Sequence, residues 1–190
     1  MNYLMLWKGE TPTNRLNYIK SVLNKVTDED TITIVSDSKF IRSKKIQWKS
    51  INTVEEALCK DYPYLKSIIL QTSLVRWSDI LRFYLLGQIA NTLYVDTDIE
   101  LIQRPIFNDL ENPYLIKYNR RYWDLSMIYN GNNTMFFKNF LDLLIPIIQR
   151  RPERLNEYVY FFTYLNRWIG KNKVNEIDSA IYKHYELRGK

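Results

Sequence analysis
Apolar positions along the chain alternate between strand-like runs and helical spacing. Tyr3 to Trp7 is a short apolar run suited to a first strand. A Gly/Pro-containing loop follows, then a helical pattern from about Asn14 to Lys25 with Thr13 as its cap. Thr31 to Val35 is β-branched, reads as a strand and ends at Ser36-Asp37, completing a β-α-β opening. Thr53-Val54-Glu55-Glu56 matches a capping box, which predicts a short helix beginning there and stopping before Pro63. From Ser73 to about Ala90, Leu74, Trp77, Ile80, Leu81, Tyr84, Leu85 and Ile89 recur at helical spacing. Leu93 to Val95 is then a strand, and Asp96-Thr97-Asp98 leaves its C-terminal end, where ligand sites gather in open α/β sheets.

Downstream, Tyr114 to Tyr118 and Leu125 to Tyr129 predict two more strands around the polar and aromatic segment Asn119 to Asp124. Gly131-Asn132-Asn133 signals a turn, after which Thr134 to about Gln149 reads as an apolar helix that Pro146 can kink. Leu155 to Trp168 predicts an aromatic-rich helix, and the tail from Lys173 carries no clear pattern. No repeat, linker or change of composition divides the chain, so one domain over residues 1–190 is expected.

With 46% apolar residues and 15% aromatics, 190 residues suffice for a full core and exclude a disordered chain. The net charge of +6 favours anionic partners such as nucleotide phosphates, nucleic acid or an acidic glycan. Its clusters, Arg42 to Lys45, Arg120-Arg121 and Arg150 to Arg154, read as solvated surface. Cys59 is the only cysteine, which excludes an intrachain disulfide and a cysteine-based zinc site. Beside Leu58 it reads as a buried thiol. The start shows no secretory pattern, and Phe136 to Ile148 is broken by Lys138, Asp142 and Pro146, so a soluble, cytoplasmic protein is expected.

Asp96 and Asp98, at i and i+2, project to one side if strand geometry persists that far. Paired carboxylates suit Mg²⁺ or Mn²⁺, which take oxygen ligands and commonly complete their shell with substrate phosphates. Upstream, Asp79 and Arg82 are neighbours on one helix face, and an exposed ion pair is the plain structural reading of that spacing.

Taken together, Ser78-Asp79-x-x-Arg82, Tyr94 and Asp96-Thr97-Asp98 resemble the donor-site signature of glycosyltransferase family 32, over about 25 residues from Val75 to Leu101. Leu4-Met5-Leu6-Trp7-Lys8-Gly9 is similar to that family's first strand, and Gly131-Asn132-Asn133 to its turn after the central strands. The resemblance implies an α/β, GT-A-like fold with a mixed central sheet flanked by helices. It also implies a nucleotide-diphosphate sugar donor (UDP- or GDP-sugar), a Mn²⁺ or Mg²⁺ ion, a glycan or other hydroxyl acceptor, and transfer with retention. Carried onto this chain, it implies that Asp79 and Arg82 hold donor-sugar hydroxyls and that Asp96 contacts the ribose and sugar or reaches the metal. Asp98 is implied as the direct metal ligand, Tyr94 as a wall of the donor pocket and Trp7 as a stack for the base, with a structural Trp as the alternative. Where the family has Gly-Gly before the strand this chain has Ala90-Asn91, and Asn tolerates the positive φ of a tight turn. His184, the only histidine, is expected as an exposed tail residue; a remnant of the family's C-terminal segment, approaching the metal, is the alternative.

Two other readings compete. A strand running into Asp-Thr-Asp also resembles the nucleophile loop of haloacid-dehalogenase-type phosphatases, although Ile99-Glu100 follows in place of Gly-Thr. A basic, aromatic-rich module without turnover, binding a donor or single-stranded nucleic acid, is the non-enzymatic alternative; nucleic acid is not the expected partner.

Overall fold
The computed structural model describes residues 1–9, 15–41, 43–69, 72–117 and 122–184. Thr13, Asn14, Arg42, Tyr118 and Arg120-Arg121 lie outside the described residues.

The sheet grows from its first strand. β1 (Asn2–Trp7) is followed by α1 (Leu16–Leu23) and β2 (Thr31–Ser36), which pairs parallel to β1 from Asn2↔Thr31 to Trp7↔Ser36. β3 (Ile46–Ser50) adds parallel to β2 as an edge; its mostly exposed, polar side chains hide it from a search for apolar alternation. The chain then passes through α2 (Ile51–Asp61), α3 (Leu65–Ile68) and α4 (Leu74–Leu86) and returns on the other side of β1 as β4 (Thr92–Val95). After the short β5 (Ile99–Leu101) come β6 (Tyr114–Lys117) and β7 (Trp123–Tyr129), with β7 antiparallel to both β4 and β6. α5 (Thr134–Arg150), α6 (Tyr158–Ile169) and the strands β8 (Asn175–Glu176) and β9 (Tyr182–His184) complete the described chain. Among the described residues the main sheet is ordered β3-β2-β1-β4-β7-β6-β8, and β5 pairs separately with β9.

Strand alternation divides the core between the two faces. Leu4, Leu6, Val35, Tyr94 and Ile128 face α2, α4, α5 and α6, while Tyr3, Met5, Ile32, Leu93 and Met127 face the side of α1 and β5. Phe83 anchors the first face, with ring centroids 5.0 Å from Phe140 and 5.3 Å from Phe137.

The second helix corrects the capping-box expectation. α2 starts at Ile51, directly from β3; Ser50 precedes it without a side-chain cap bond, and Thr53 lies within its first turn. Burying Ile51 and Val54 under the sheet decides the start, and Glu55 is taken by tertiary partners instead. α4 begins as expected, with Ser73 Oγ accepting from the Arg76 N–H, but ends at Leu86 rather than near Ala90. Buried Asn130 explains the stop: its amide donates to Leu86 O and Ile89 O at 2.7 and 2.6 Å, and its Oδ1 accepts from Thr92 N at 2.8 Å. Asn91 takes φ +52°, its N–H bonds Gly131 O at 2.5 Å and its Oδ1 accepts from the Tyr129 hydroxyl. The turn into β4 is therefore made without the glycine pair, because Asn accepts the left-handed region. Gly131, at φ +56°, leaves no room for a Cβ against the Leu110 carbonyl.

α5 runs through Pro146, capped by Asn133 Oδ1 accepting from Phe136 N at 3.0 Å. The predicted Leu155–Trp168 helix is instead a 3₁₀ turn, Pro152–Asn156, and α6, separated where Glu157 adopts extended backbone. Cys59 is half-buried rather than buried, and desolvation with the nearby Glu55 charge pushes its thiol pKa up, away from the nucleophilic thiolate. Among the described residues no helix is long and apolar enough to cross a membrane.

Candidate functional site
A cavity of about 390 Å³ opens where β1 and β4 end, between the start of α4 and the Asp96-Thr97-Asp98 turn. Parallel strands that part to opposite neighbours leave such a crevice at their C-terminal ends. β1 supplies Trp7, β4 supplies Tyr94, α4 supplies Arg82, and the turn supplies Asp96 and Asp98.

The carboxylates do not share the cavity by strand alternation. β4 stops at Val95, and the Ile99 N–H returns to Asp96 O at 3.2 Å, so residues 96–99 form a turn before β5. That turn brings both carboxylates into the cavity wall, while the Asp96 N–H remains tied to Ser126 O on β7 at 2.7 Å.

Around Asp96 the site is a buried charge cluster, not the exposed ion pair that spacing alone suggests. Arg82 donates from Nη1 to Leu125 O at 2.6 Å, and its Nη2 lies 3.5 Å from both Asp79 Oδ1 and Asp96 Oδ1. Its guanidinium sits 4.6 Å from the Tyr94 ring centroid, and the Tyr94 hydroxyl donates to Asp96 Oδ1. Arg76 Nη1 approaches Asp79 Oδ2 at 2.5 Å. Burial pushes the Asp96 carboxyl pKa up, against the opposing pull of Arg82 and the Tyr94 hydroxyl bond. Burial likewise raises that of Asp79 against Arg82 and Arg76. For Arg82, burial works against its charge, but Asp96, Tyr94 and Asp79 outweigh it and hold the guanidinium protonated. Burial and the Asp96 charge keep the Tyr94 hydroxyl a donor.

Sequence reasoning grouped Asp79 with the other site residues; the structure places it beneath Arg82, outside the cavity wall. Trp7 stands in the wall, with the Arg15 guanidinium 5.4 Å from its ring centroid. Arg15 itself was missed, since one arginine after a loop carries no signal; its Nη1 lies 3.6 Å from Asp98 Oδ2 and 3.4 Å from Thr97 Oγ1. Also missed was the support of Lys8, whose ammonium donates to Glu55 Oε1 at 2.6 Å, an oxygen shared with Trp77 Nε1 at 2.6 Å. His184 is not an exposed tail residue. It is half-buried on β9 opposite Ile99, with Nδ1 buried and lacking a hydrogen-bond partner, and its charge favours the ionised form of Asp96.

Among the described residues no group of three His, Cys, Asp or Glu side chains forms a ready cage for a metal ion. What the cavity offers is an oxygen-only pair, Asp96 and Asp98. This fits Mg²⁺ or Mn²⁺, ions that take one or two carboxylates and draw remaining ligands from water and phosphate.

No protein-family model matches the chain, and no curated protein matches it. Solved structures do. The PaToxG glycosyltransferase superposes with a TM-score of 0.64 at 18% identity, covering 89% of this chain and 69% of that one. The galactosyltransferase LgtC, in complex with donor and acceptor sugar analogues, gives 0.55 at 11% identity over 97% of this chain and 87% of that one. The glycosyltransferase GlyE of Streptococcus pneumoniae TIGR4 gives 0.57 at 8% identity, with 93% of this chain covering 44% of that one. The chain thus has the GT-A glycosyltransferase fold, a mixed α/β sheet flanked by helices, with its carboxylate turn at the C-terminal end of β4.

Proposed function
We propose that this protein is a glycosyltransferase that moves a sugar from a nucleotide-diphosphate donor to a hydroxyl acceptor, in a metal-dependent, retaining reaction like that of glycosyltransferase family 32. One observation carries the reading: Trp7 from β1, Arg82 from α4 and Asp96 and Asp98 from the turn after β4 line one cavity at the switch point of a glycosyltransferase fold.

Each side chain has a role suited to its surroundings. Trp7 offers an aromatic face for the base. Asp98, with Asp96, would hold a Mn²⁺ or Mg²⁺ ion, which when bound neutralises charge developing on the leaving diphosphate. Asp96 has an oxygen oriented by Tyr94 and Arg82, which leaves the carboxylate fixed for a ribose or sugar hydroxyl. Arg82, locked on Leu125 O, presents a permanent positive charge to the donor without reorganising. Asp79 acts through Arg82 and is a positioning residue. Leu74 and Val75, 51% and 60% exposed at the mouth, leave an apolar rim for part of an acceptor.

The phosphatase alternative requires an Asp96 carboxylate aimed at a phosphorus atom. Here that group accepts from Tyr94 and faces Arg82, which suits hydroxyl recognition better. A thermal-shift and calorimetric panel of UDP- and GDP-sugars, with and without Mn²⁺, tests the proposal. Mn²⁺-dependent stabilisation that Asp98→Asn abolishes is expected. No binding of any nucleotide sugar would overturn it, and binding without donor hydrolysis or transfer would make the protein a binding module.

A further inference from the structure
Trp7 and Lys8 stand together at the end of β1 and both line the cavity, but their side chains meet different elements. Trp7 lies by Arg15, ahead of α1, whereas the Lys8 ammonium reaches α2 and donates to Glu55 Oε1 at 2.6 Å. The same oxygen accepts from Trp77 Nε1 on α4 at 2.6 Å, so two helices fix where the ammonium stands. The Lys8 side chain is 33% exposed and that of Glu55 12%. An ammonium carries three N–H donors, and Glu55 Oε1 accepts one of them. Ile51, Leu74 and Trp77 contribute apolar surface to the same cavity wall, so a polar ligand atom entering there needs a partner from the protein.

We propose that Lys8 reads the nucleotide base, donating to a ring carbonyl and so selecting uracil or guanine over cytosine or adenine. This rests on the glycosyltransferase reading, in which the base stacks on Trp7. Lys8 follows Trp7 directly, so a base lying on that ring presents an edge to the ammonium. The diphosphate is the poorer partner, because Glu55 already balances the Lys8 charge at 2.6 Å. What the pair offers the cavity is oriented N–H donors with little net charge, which suits a neutral carbonyl better than a phosphate. Uracil O4 and guanine O6 are acceptors at the position where cytosine and adenine carry an amino group. An amino group there sets donor against donor and leaves the Lys8 bond unmade, which costs more than the bond itself contributes. Glu55 acts through Lys8 and is a positioning residue.

The test measures UDP, CDP, GDP and ADP binding by calorimetry at saturating Mn²⁺ for wild type, Lys8→Met, and Lys8→Met combined with Glu55→Gln, which leaves no carboxylate without its cation. Wild type is expected to favour UDP over CDP, or GDP over ADP, by about 10- to 100-fold, the scale of one charged hydrogen bond against a stranded donor. In both variants that ratio should fall to within about 2-fold of unity, through loss of UDP or GDP affinity alone. Retained CDP and ADP binding shows at the same time that the variants are folded. Equal weakening of all four nucleotides makes Lys8 a diphosphate contact and overturns the inference. So does a wild type indifferent to the base, or a ratio that survives Lys8→Met. Each of these results leaves the glycosyltransferase reading standing, whereas a wild type that binds no nucleotide overturns both.

Discussion

Asp96 and Asp98 are two residues apart, yet the arginines that face them are held differently: Arg82 is buried and bonded to Leu125 O, while Arg15 stands partly exposed in the cavity wall. Around Asp96, the Tyr94 hydroxyl donates to the carboxylate and Arg82 ties it to Asp79 and Leu125 O across α4, β4 and β7. Around Asp98, Arg15 reaches the turn from the start of α1, with its guanidinium 5.4 Å from the Trp7 ring centroid. The contrast separates two jobs that lie close together in sequence. The inner half is built on a buried arginine, the outer half on one that is partly open to solvent. Buried ionic clusters are poor sources of stability and good sources of orientation, because desolvation consumes most of their attraction.

The largest effect expected is on the inner half. Arg82→Met leaves Asp79 and Asp96 without their shared cation and should lower unfolding stability by about 3–5 kcal/mol, read by urea denaturation. A variant as stable as wild type would show that Arg82 does not hold the two carboxylates together. Asp98→Asn should do the reverse. Its melting temperature should stay near wild type, while Mn²⁺ affinity falls by about 100-fold or more, since even the outer partners of a ligand are worth about 10–100-fold. A large loss of stability there would erase the distinction between the two halves. Trp7→Ala, also in the outer half, should weaken nucleotide binding by about 10-fold, the scale of a lost aromatic stack of about 0.5–1.5 kcal/mol together with its buried area. An unchanged nucleotide affinity would make Trp7 a purely structural residue.

The smallest effect is a pH slope. Burial holds the Asp79 and Asp96 carboxyls above the ordinary range, and unfolding returns them to about 4. The native state then binds more protons in the interval between, so their contribution to stability is complete below about pH 4 and is lost as pH rises through the native values. Asp79→Asn removes its share of that decline. The wild-type minus variant difference in unfolding free energy should therefore fall as pH increases from about 4. A flat difference would count against the burial of that charge.

Legibility followed pattern length. β1, β4 and α4 carry runs or periodicities that local physics reads directly, and Ser73 and Asn133 are caps whose chemistry is visible in one dimension. β5, β8 and β9 escape because they are only two or three residues long, and β3 because it is a sheet edge with few apolar positions. The capping box misled because Thr53 and Glu56 satisfy a local rule that burial of Ile51 overrode. In the site, Asp96, Asp98, Arg82 and Trp7 could be nominated from motif and order. Arg15 and Asn130 could not, since each acts on residues 38 to 83 positions away and neither carries a local signature.

By itself the sequence determined the β-α-β opening, the long amphipathic helix and a carboxylate pair at the end of an apolar strand, because these depend on neighbours within one or two turns of chain. Only the tertiary structure decided what those carboxylates are. Asp96 faces a buried arginine because β7 brings Leu125 O to lock Arg82 beside it, and Asp98 faces a partly exposed one because α1 begins where Arg15 reaches the turn. Electrostatic character depends on which distant segments exclude or admit water around a charge, and contacts of that kind are set by the fold as a whole.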